Sequence, residues 1–232
     1  MHLTDMQELL NKREPLTQEL VPYQYKGPFG LGVHHPLVIE IFFDPERSGL
    51  LNERYRHKVM QRDAALDKKD WETYVFVHER PYRVMALSRA IGLGAYAHRN
   101  LHKLVRSAWT DSENIQQNKL AWRYIWRSLD DPRRVMDANE QTVFQWMPEE
   151  ITVHRGIRHR TYWPRGMSWT RDKERAVWFA HRLSTLKQTP TVLTAKVLKR
   201  DVLAYINARG EEEVVVMPRS LREVTADERR ST

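Results

Sequence analysis

The sequence predicts an α+β fold, in which a helical N-terminal region precedes a small split β-sheet core. Three observations predict it. Apolar residues recur at helical spacing up to about Trp146, short alternating or continuous apolar runs rich in valine follow Pro148, and 41% hydrophobic content gives a chain of 232 residues enough apolar surface for a packed core.

Taken in order, the segment from Tyr23 to Pro36, with its glycines and prolines, reads as a loop. Leu50-Leu51, Tyr55, Val59, Met60 and Leu66 form one helical stripe. Trp71, Tyr74-Val75 and Val77-His78 form a second, which Pro81 interrupts before Val84, Leu87 and Ile91. Proline lacks a donor and fixes φ, so Pro81 ends one helix or begins the next. Asp111-Ser112-Glu113-Asn114 carries capping residues for a helix through Ile115, Leu120, Trp122, Tyr124, Ile125 and Trp126. Asp130-Asp131-Pro132 stops it, and Asn139 to Met147 supplies one more helix. Trp122, Trp126 and Trp146 share this spacing with apolar neighbours, as core residues do.

Beyond Pro148, strands are expected at Ile151–Val153, Val192–Val197, Val202–Ile206 and Glu213–Met217. Asp172 caps a helix from Lys173 to Leu186, with Ala176, Val177, Phe179, Ala180 and Leu183 on its buried face. The expected division is 1–147 for the helical region and 148–232 for the β-rich core, with one continuous domain as the alternative.

Cysteine is absent, which excludes a disulfide framework, a thiolate metal site and a cysteine nucleophile. No metal site is expected, since the ten histidines show no HExxH or similar spacing. The N-terminal residues MHLTDMQELLNKRE lack the apolar stretch of a signal peptide, and no apolar run is long enough to span a bilayer. A cytoplasmic protein is therefore expected, with no membrane partner. The formal charge of +8 favours polyanionic partners, among them nucleic acid, an acidic protein surface or a phosphorylated ligand. There is no Walker loop and no GxGxxG.

Three short strings in the β-rich half stand out by their order: Val153-His154-Arg155-Gly156 at a strand end, Gly166-Met167-Ser168-Trp169-Thr170 before a helix, and Gly210-Glu211-Glu212-Glu213 opening an apolar strand. Each alone is an ordinary turn, cap or solvated loop. Together they resemble the arginine–serine–glutamate pattern of the ADP-ribosyltransferase superfamily, in its clostridial-toxin-like branch, which also includes vertebrate ecto-enzymes and phage enzymes. The resemblance covers about Ile151 to Met217. It departs from the pattern at Trp169 and Thr170, which stand where small residues are usual.

The resemblance implies a mono-ADP-ribosyltransferase with NAD as co-substrate. Arg155 would bind the NAD diphosphate by its two-pronged guanidinium. Gly156 would let the main chain approach the nicotinamide carboxamide. Glu213 would stabilise the oxocarbenium-like ribose, with Ser168 holding it in place and Thr170 supporting the strand. Glu211, two residues earlier on an extended chain, would share its face and act on the acceptor as general base. With three consecutive glutamates, Glu212 is an alternative for the catalytic position. Phe179, or Trp178, would border the nicotinamide pocket. Arg158, Arg160 and Arg165 would meet an adenosine phosphate or a polyanionic target, or form a solvated loop. A glutamate at 211 implies protein arginine as the acceptor, with nucleic acid also represented in the superfamily, and phage relatives imply an effector acting inside a bacterial host. Two other readings stand beside it: an NAD glycohydrolase using the same site, and a basic nucleic-acid-binding protein without catalysis.

Overall fold

A computed structural model describes residues 12–113, 115–157, 166–182 and 189–228. The fold is mixed α+β, and the chain divides into two compact units, Met1–Ala95 and Tyr96–Thr232. The expected division at 147–148 falls inside the second unit. The helix over Ala138–Gln145 and the turn at Pro132–Val135 both pack on the strand Val202–Ile206, so these helical elements share the sheet's core.

The first unit contains strands where a loop and only helices are expected. Strands β1 (Gln24–Gly27), β2 (Gly30–His35) and β3 (Val38–Glu40) form an antiparallel sheet in that order. Glycine makes the pairing: the Tyr25 ring lies over Gly32, where a Cβ would come within 2.5 Å of it. The helices follow as α1 (Gly49–Asp67), α2 (Trp71–Phe76) and α3 (Arg83–Gly92). Pro81 lies in a single 3₁₀ turn, Arg80–Tyr82, between the last two, as its missing donor requires. Met60, expected on a buried stripe, is instead exposed. Leu16, Leu20, Val33, Val38, Phe43 and Leu51 make one core cluster of this unit, with the buried Asn52 side chain bonding Thr17 N, Glu14 and Pro15 O.

In the second unit come α4 (Leu101–Asp111), α5 (Lys119–Arg127) and α6 (Ala138–Gln145). The residues expected to start a helix at 111–114 do not: α4 ends at Asp111, Ser112 turns extended with ψ 125°, and α5 begins only at Lys119. Trp109 of α4 meets Trp122 and Trp126 of α5 edge-on, with ring centroids 4.8 and 5.3 Å away, and all three are buried. Such pairs add about 0.5–1.5 kcal/mol each beyond their burial. Trp146, one residue past α6, is exposed rather than core. A capping box formed by Asp137 and Glu140 starts α6.

The sheet of this unit has six antiparallel strands in the order β7-β8-β5-β4-β6-β9. They are β4 (Glu150–Ile157), β5 (Ser168–Thr170), β6 (Thr191–Leu198), β7 (Val202–Ile206), β8 (Glu213–Val216) and β9 (Arg222–Glu228). Helix α7 (Lys173–His181) is capped by Asp172, which accepts from Glu174 N and Arg175 N. Ala176 and Ala180 pack on Val192. Leu183 and Leu186, expected on the same helix, lie outside the described residues. Among the described residues no helix is long and apolar enough to cross a membrane.

One buried ionic group ties the helices to the sheet. The Glu140 carboxylate accepts from the Arg106 guanidinium on both oxygens, from Asp137 N at 2.9 Å and from Asn207 N at 2.7 Å. With four donors it is fully satisfied, the condition under which burying a charge is tolerable. Glu140→Ala strips Arg106 and the Asn207 amide of this acceptor together, and unfolding in urea should show a loss of about 3 kcal/mol. A loss under about 1 kcal/mol, the worth of a surface ion pair, would contradict this reading.

Candidate functional site

The three strings singled out in the sequence fold onto three neighbouring central strands: Arg155-Gly156 near the end of β4, Ser168 to Thr170 as the whole of β5, and Glu213 as the first residue of β8. Thr170 is the register partner of both His154 and Glu213, and Ser168 that of Val215. Strand alternation then puts Ser168, Thr170 and Glu213 on one face. The ladder partner on β4 is His154, so alternation sets Arg155 on the other face, and its contact with β5 is made at the backbone, where Nη1 donates to the Ser168 carbonyl. Gly166 lies against that guanidinium so closely that a Cβ there would stand 2.3 Å from Arg155 Cζ. Glycine at 166 is thus a condition of the Arg155 guanidinium's position, a role that the string Gly166 to Thr170 does not by itself reveal.

Glu213 is buried, with 4% of its surface exposed. Burial raises its carboxyl above the ordinary carboxylate range, because the charged form loses hydration. Ser168 and then Trp109 oppose the rise by favouring the carboxylate, as does the charge of Arg209, while Glu211 adds to it. Trp109 is a site residue that the sequence did not announce. It lies far from the three strings in the chain and comes to Glu213 only through the packing of α4. Burial has the opposite effect on Arg155, lowering its guanidinium to about 10, with Glu213 supporting the charge. At neutral pH Arg155 remains a cation. Among the described residues Arg155 Nε is buried without a hydrogen-bond partner, while Trp109 Nε1 lies toward the Glu213 carboxylate and favours its charge without closing a well-formed bond to Oε1. Incompletely satisfied buried polar atoms are uncommon in folded proteins and costly, so their presence around one carboxylate marks a site that a polar ligand can complete.

The other expected residues are more dispersed. Thr170 Oγ1 donates to the Glu211 carbonyl at 2.6 Å and accepts from Asp172 N at 3.0 Å, so it fastens the turn before β8 to the start of α7. Glu211 lies in that turn. The extended geometry expected to align it with Glu213 is interrupted at Glu212, whose φ of 44° is left-handed. Glu211 approaches Glu213 by the curl of the turn, and its Oε2 is bonded to Arg209 Nη2 at 3.0 Å. Glu212 turns to Asn207 and Arg171 instead: its N–H donates to Asn207 Oδ1, and its carboxylate lies 3.6 Å from Arg171 Nη1. Gly156 has α7 pressed against it, with a Cβ position 2.2 Å from Ala176 O and 2.4 Å from Ala180 N. Its bareness serves helix–strand packing, a task not foreseen for it. Phe179 is half-buried, its ring edge-on to the exposed Trp178 at 5.0 Å, and the guanidiniums of Arg175 and Arg182 lie over the Trp178 ring. His154 bonds Thr194 Oγ1 through Nδ1 at 3.0 Å. Arg158, Arg160 and Arg165 lie outside the described residues.

Charge is also distributed unevenly. Residues 1–95 hold 13 basic and 13 acidic side chains, so the whole excess of +8 belongs to residues 96–232, the unit that contains this cluster. No protein-family model, curated protein or solved structure matches the chain.

The Glu213 environment has a measurable consequence. A carboxyl whose folded pKa lies above its unfolded value favours the fold while protonated, and that advantage is lost as pH rises through the folded pKa. At pH 8 the protein therefore bears the cost of a buried charge, which Glu213→Gln removes. Thermal melts should show the variant more stable than the wild type at pH 8, with the gap closing toward pH 4. A variant less stable than wild type at pH 8 would refute this.

Proposed function

We propose that residues 96–232 form an NAD-cleaving site of ADP-ribosyltransferase type, which breaks the nicotinamide–ribose bond and passes ADP-ribose to a macromolecular acceptor. The observation that carries the proposal is the cluster at the head of β8: a buried carboxyl beside Ser168 and Trp109, and a buried guanidinium that feels its charge, each with a polar atom left incompletely satisfied. The adjacency of β4, β5 and β8 supports it, because the ordered arginine, serine and glutamate strings become one locus. We read the six-stranded sheet with α7 packed on it as the split core of that superfamily.

Departure of nicotinamide leaves positive charge on the ribose, and a fixed carboxylate in a water-poor site stabilises it far better than the same group in water. Glu213 supplies that carboxylate. Ser168 and Trp109 favour its charged form and fix its direction. Arg155, held against Gly166 and the Ser168 carbonyl, keeps a preoriented cation for the diphosphate. The rate should fall on acidification at a pH above that of an ordinary carboxylate, because Glu213 must be ionised to act. Protein arginine is the proposed acceptor, since the carboxylate of Glu211 already holds a guanidinium, that of Arg209. The same pairing supports a second reading, an NAD glycohydrolase: while Arg209 occupies Glu211, water is the competing acceptor.

Incubation of the purified chain with NAD, followed by chromatography for nicotinamide, tests the proposal. Wild type should release nicotinamide, and Glu213→Gln should slow release by about 100-fold or more, the scale of losing one electrostatic group in an active site. Label transferred from adenine-labelled NAD to lysate protein marks a transferase, and free ADP-ribose alone marks the glycohydrolase. Silence from the wild type, or undiminished release from Glu213→Gln, would overturn the assignment.

A further inference from the structure

At the opposite end of β7 and β8 from Glu213, three turns surround an open cleft of about 430 Å³. Val202 pairs with Val216 at that end, whereas Glu213 pairs with Ile206 at the other. The volume falls in the range of small-ligand sites, roughly 300–1,000 Å³. Buried Val202 and Met217 form part of its lining. Around them stand Arg133 from the turn Pro132–Val135, Arg200 from the turn Lys199–Asp201, and Arg219 and Ser220 from the turn Pro218–Ser220. Arg133 is held in place. Its Nη2 donates to the carbonyls of Lys199 and Arg200 at 3.4 and 3.1 Å, and its Cζ lies 5.3 Å from the centre of the Phe144 ring. Arg200 and Arg219 are exposed, and their guanidiniums have no hydrogen bond or ion pair among the described residues.

We propose that this cleft binds a small phosphorylated ligand bearing hydroxyl groups, of the sugar-phosphate or nucleoside-monophosphate class. It lies apart from the proposed NAD seat, and its success or failure leaves that reading untouched. A guanidinium offers phosphate a planar fork of donors, and three of them around one opening repel one another until an anion arrives. Arg133, already ordered by two carbonyls and a ring, loses little freedom on binding. Two carboxylates in the same lining, Asp131 and Asp201, narrow the choice of ligand. Asp131 accepts from Arg133 N at 3.0 Å through Oδ1, and the Asp201 carboxylate has no partner among the described residues. Carboxylates only accept hydrogen bonds, so they repel a phosphodiester chain whose charge continues past the cleft, yet they pair with the hydroxyls of a sugar. The Ser220 hydroxyl serves either part. One phosphate with donors beside it matches this lining; a polyanion does not.

The test is an NMR titration of the ¹⁵N-labelled chain, without NAD, using ribose 5-phosphate and adenosine monophosphate, with inorganic phosphate, ribose and a short single-stranded oligonucleotide for comparison. Ribose 5-phosphate should give saturable shifts at the amides of Arg200, Asp201, Arg219 and Ser220, inorganic phosphate should bind there more weakly, and ribose should not bind. Arg200→Gln and Arg219→Gln should each weaken binding by about tenfold or more, the scale of losing one charge-assisted hydrogen bond. Thermal melts of both variants should match the wild type, because neither guanidinium has a partner to lose among the described residues. Tighter binding of adenosine monophosphate than of ribose 5-phosphate identifies a nucleotide site, and equal or weaker binding a sugar-phosphate site. Four results would overturn the proposal: no saturable shift with either phosphorylated probe, shifts that survive both substitutions, inorganic phosphate bound as tightly as ribose 5-phosphate, or the oligonucleotide bound more tightly than both.

Discussion

The candidate site depends on holding one ionisable carboxyl away from water, at the first residue of a central strand. A carboxylate is expensive to desolvate, and Glu213 lacks the full set of donors that makes Glu140 comfortable in the same unit. Neighbours only moderate the cost. Ser168 and Trp109 favour the charge, and the Arg155 guanidinium lies close enough to share the field. Each of these is itself fixed by an unusual contact: Arg155 by the bare backbone of Gly166, and Trp109 by its edge-on packing against Trp122 and Trp126. Stability and a reactive electrostatic environment pull against each other here, as they do wherever a protein stores an unfavourable group for use.

The turn over 207–212 is the second element of the arrangement, and it is held by side chains that bond its backbone as much as by its own main chain. Gly210 and Glu212 both take left-handed φ, the Asn207 side chain accepts from Glu212 N, and Arg171 N donates to Glu212 O. From below, Glu140 holds Asn207 and Arg106 holds Glu140. From the side, Thr170 and Arg209 both hold Glu211. A loop so restrained presents its two carboxylates at a definite separation, which is what positioning in catalysis requires.

Much of the second unit was legible in the sequence because its strands alternate or run apolar in ways that survive without tertiary context. Strands β4, β6, β7 and β8 and the Asp172 cap belong to that class, whereas the grouping of Arg155, Ser168 and Glu213 is an expectation that the family resemblance implies and that periodicity alone does not carry. Other features depend on long-range contacts. The hairpin of β1 and β2 reads as a loop in the sequence because glycines signal punctuation, whereas Gly32 admits the Tyr25 ring. Strand β9, with the polar sequence REVTADE at a sheet edge, has only Val224 and Ala226 as an apolar face to betray it. Trp109 and Glu140 join the site by packing between segments distant in the chain. Glu211 and Glu213 were expected to share a face by simple alternation, and one left-handed residue between them undoes that inference.

The central claim is that Arg155, Ser168 and Glu213 together form the seat of NAD. A crystal structure of Glu213→Gln soaked with NAD tests it most directly. The account predicts the nicotinamide ribose beside residue 213, within reach of Ser168 and Trp109, and the diphosphate on the Arg155 guanidinium. Dinucleotide bound elsewhere on the protein, or a site left unaltered at saturating NAD, would contradict it.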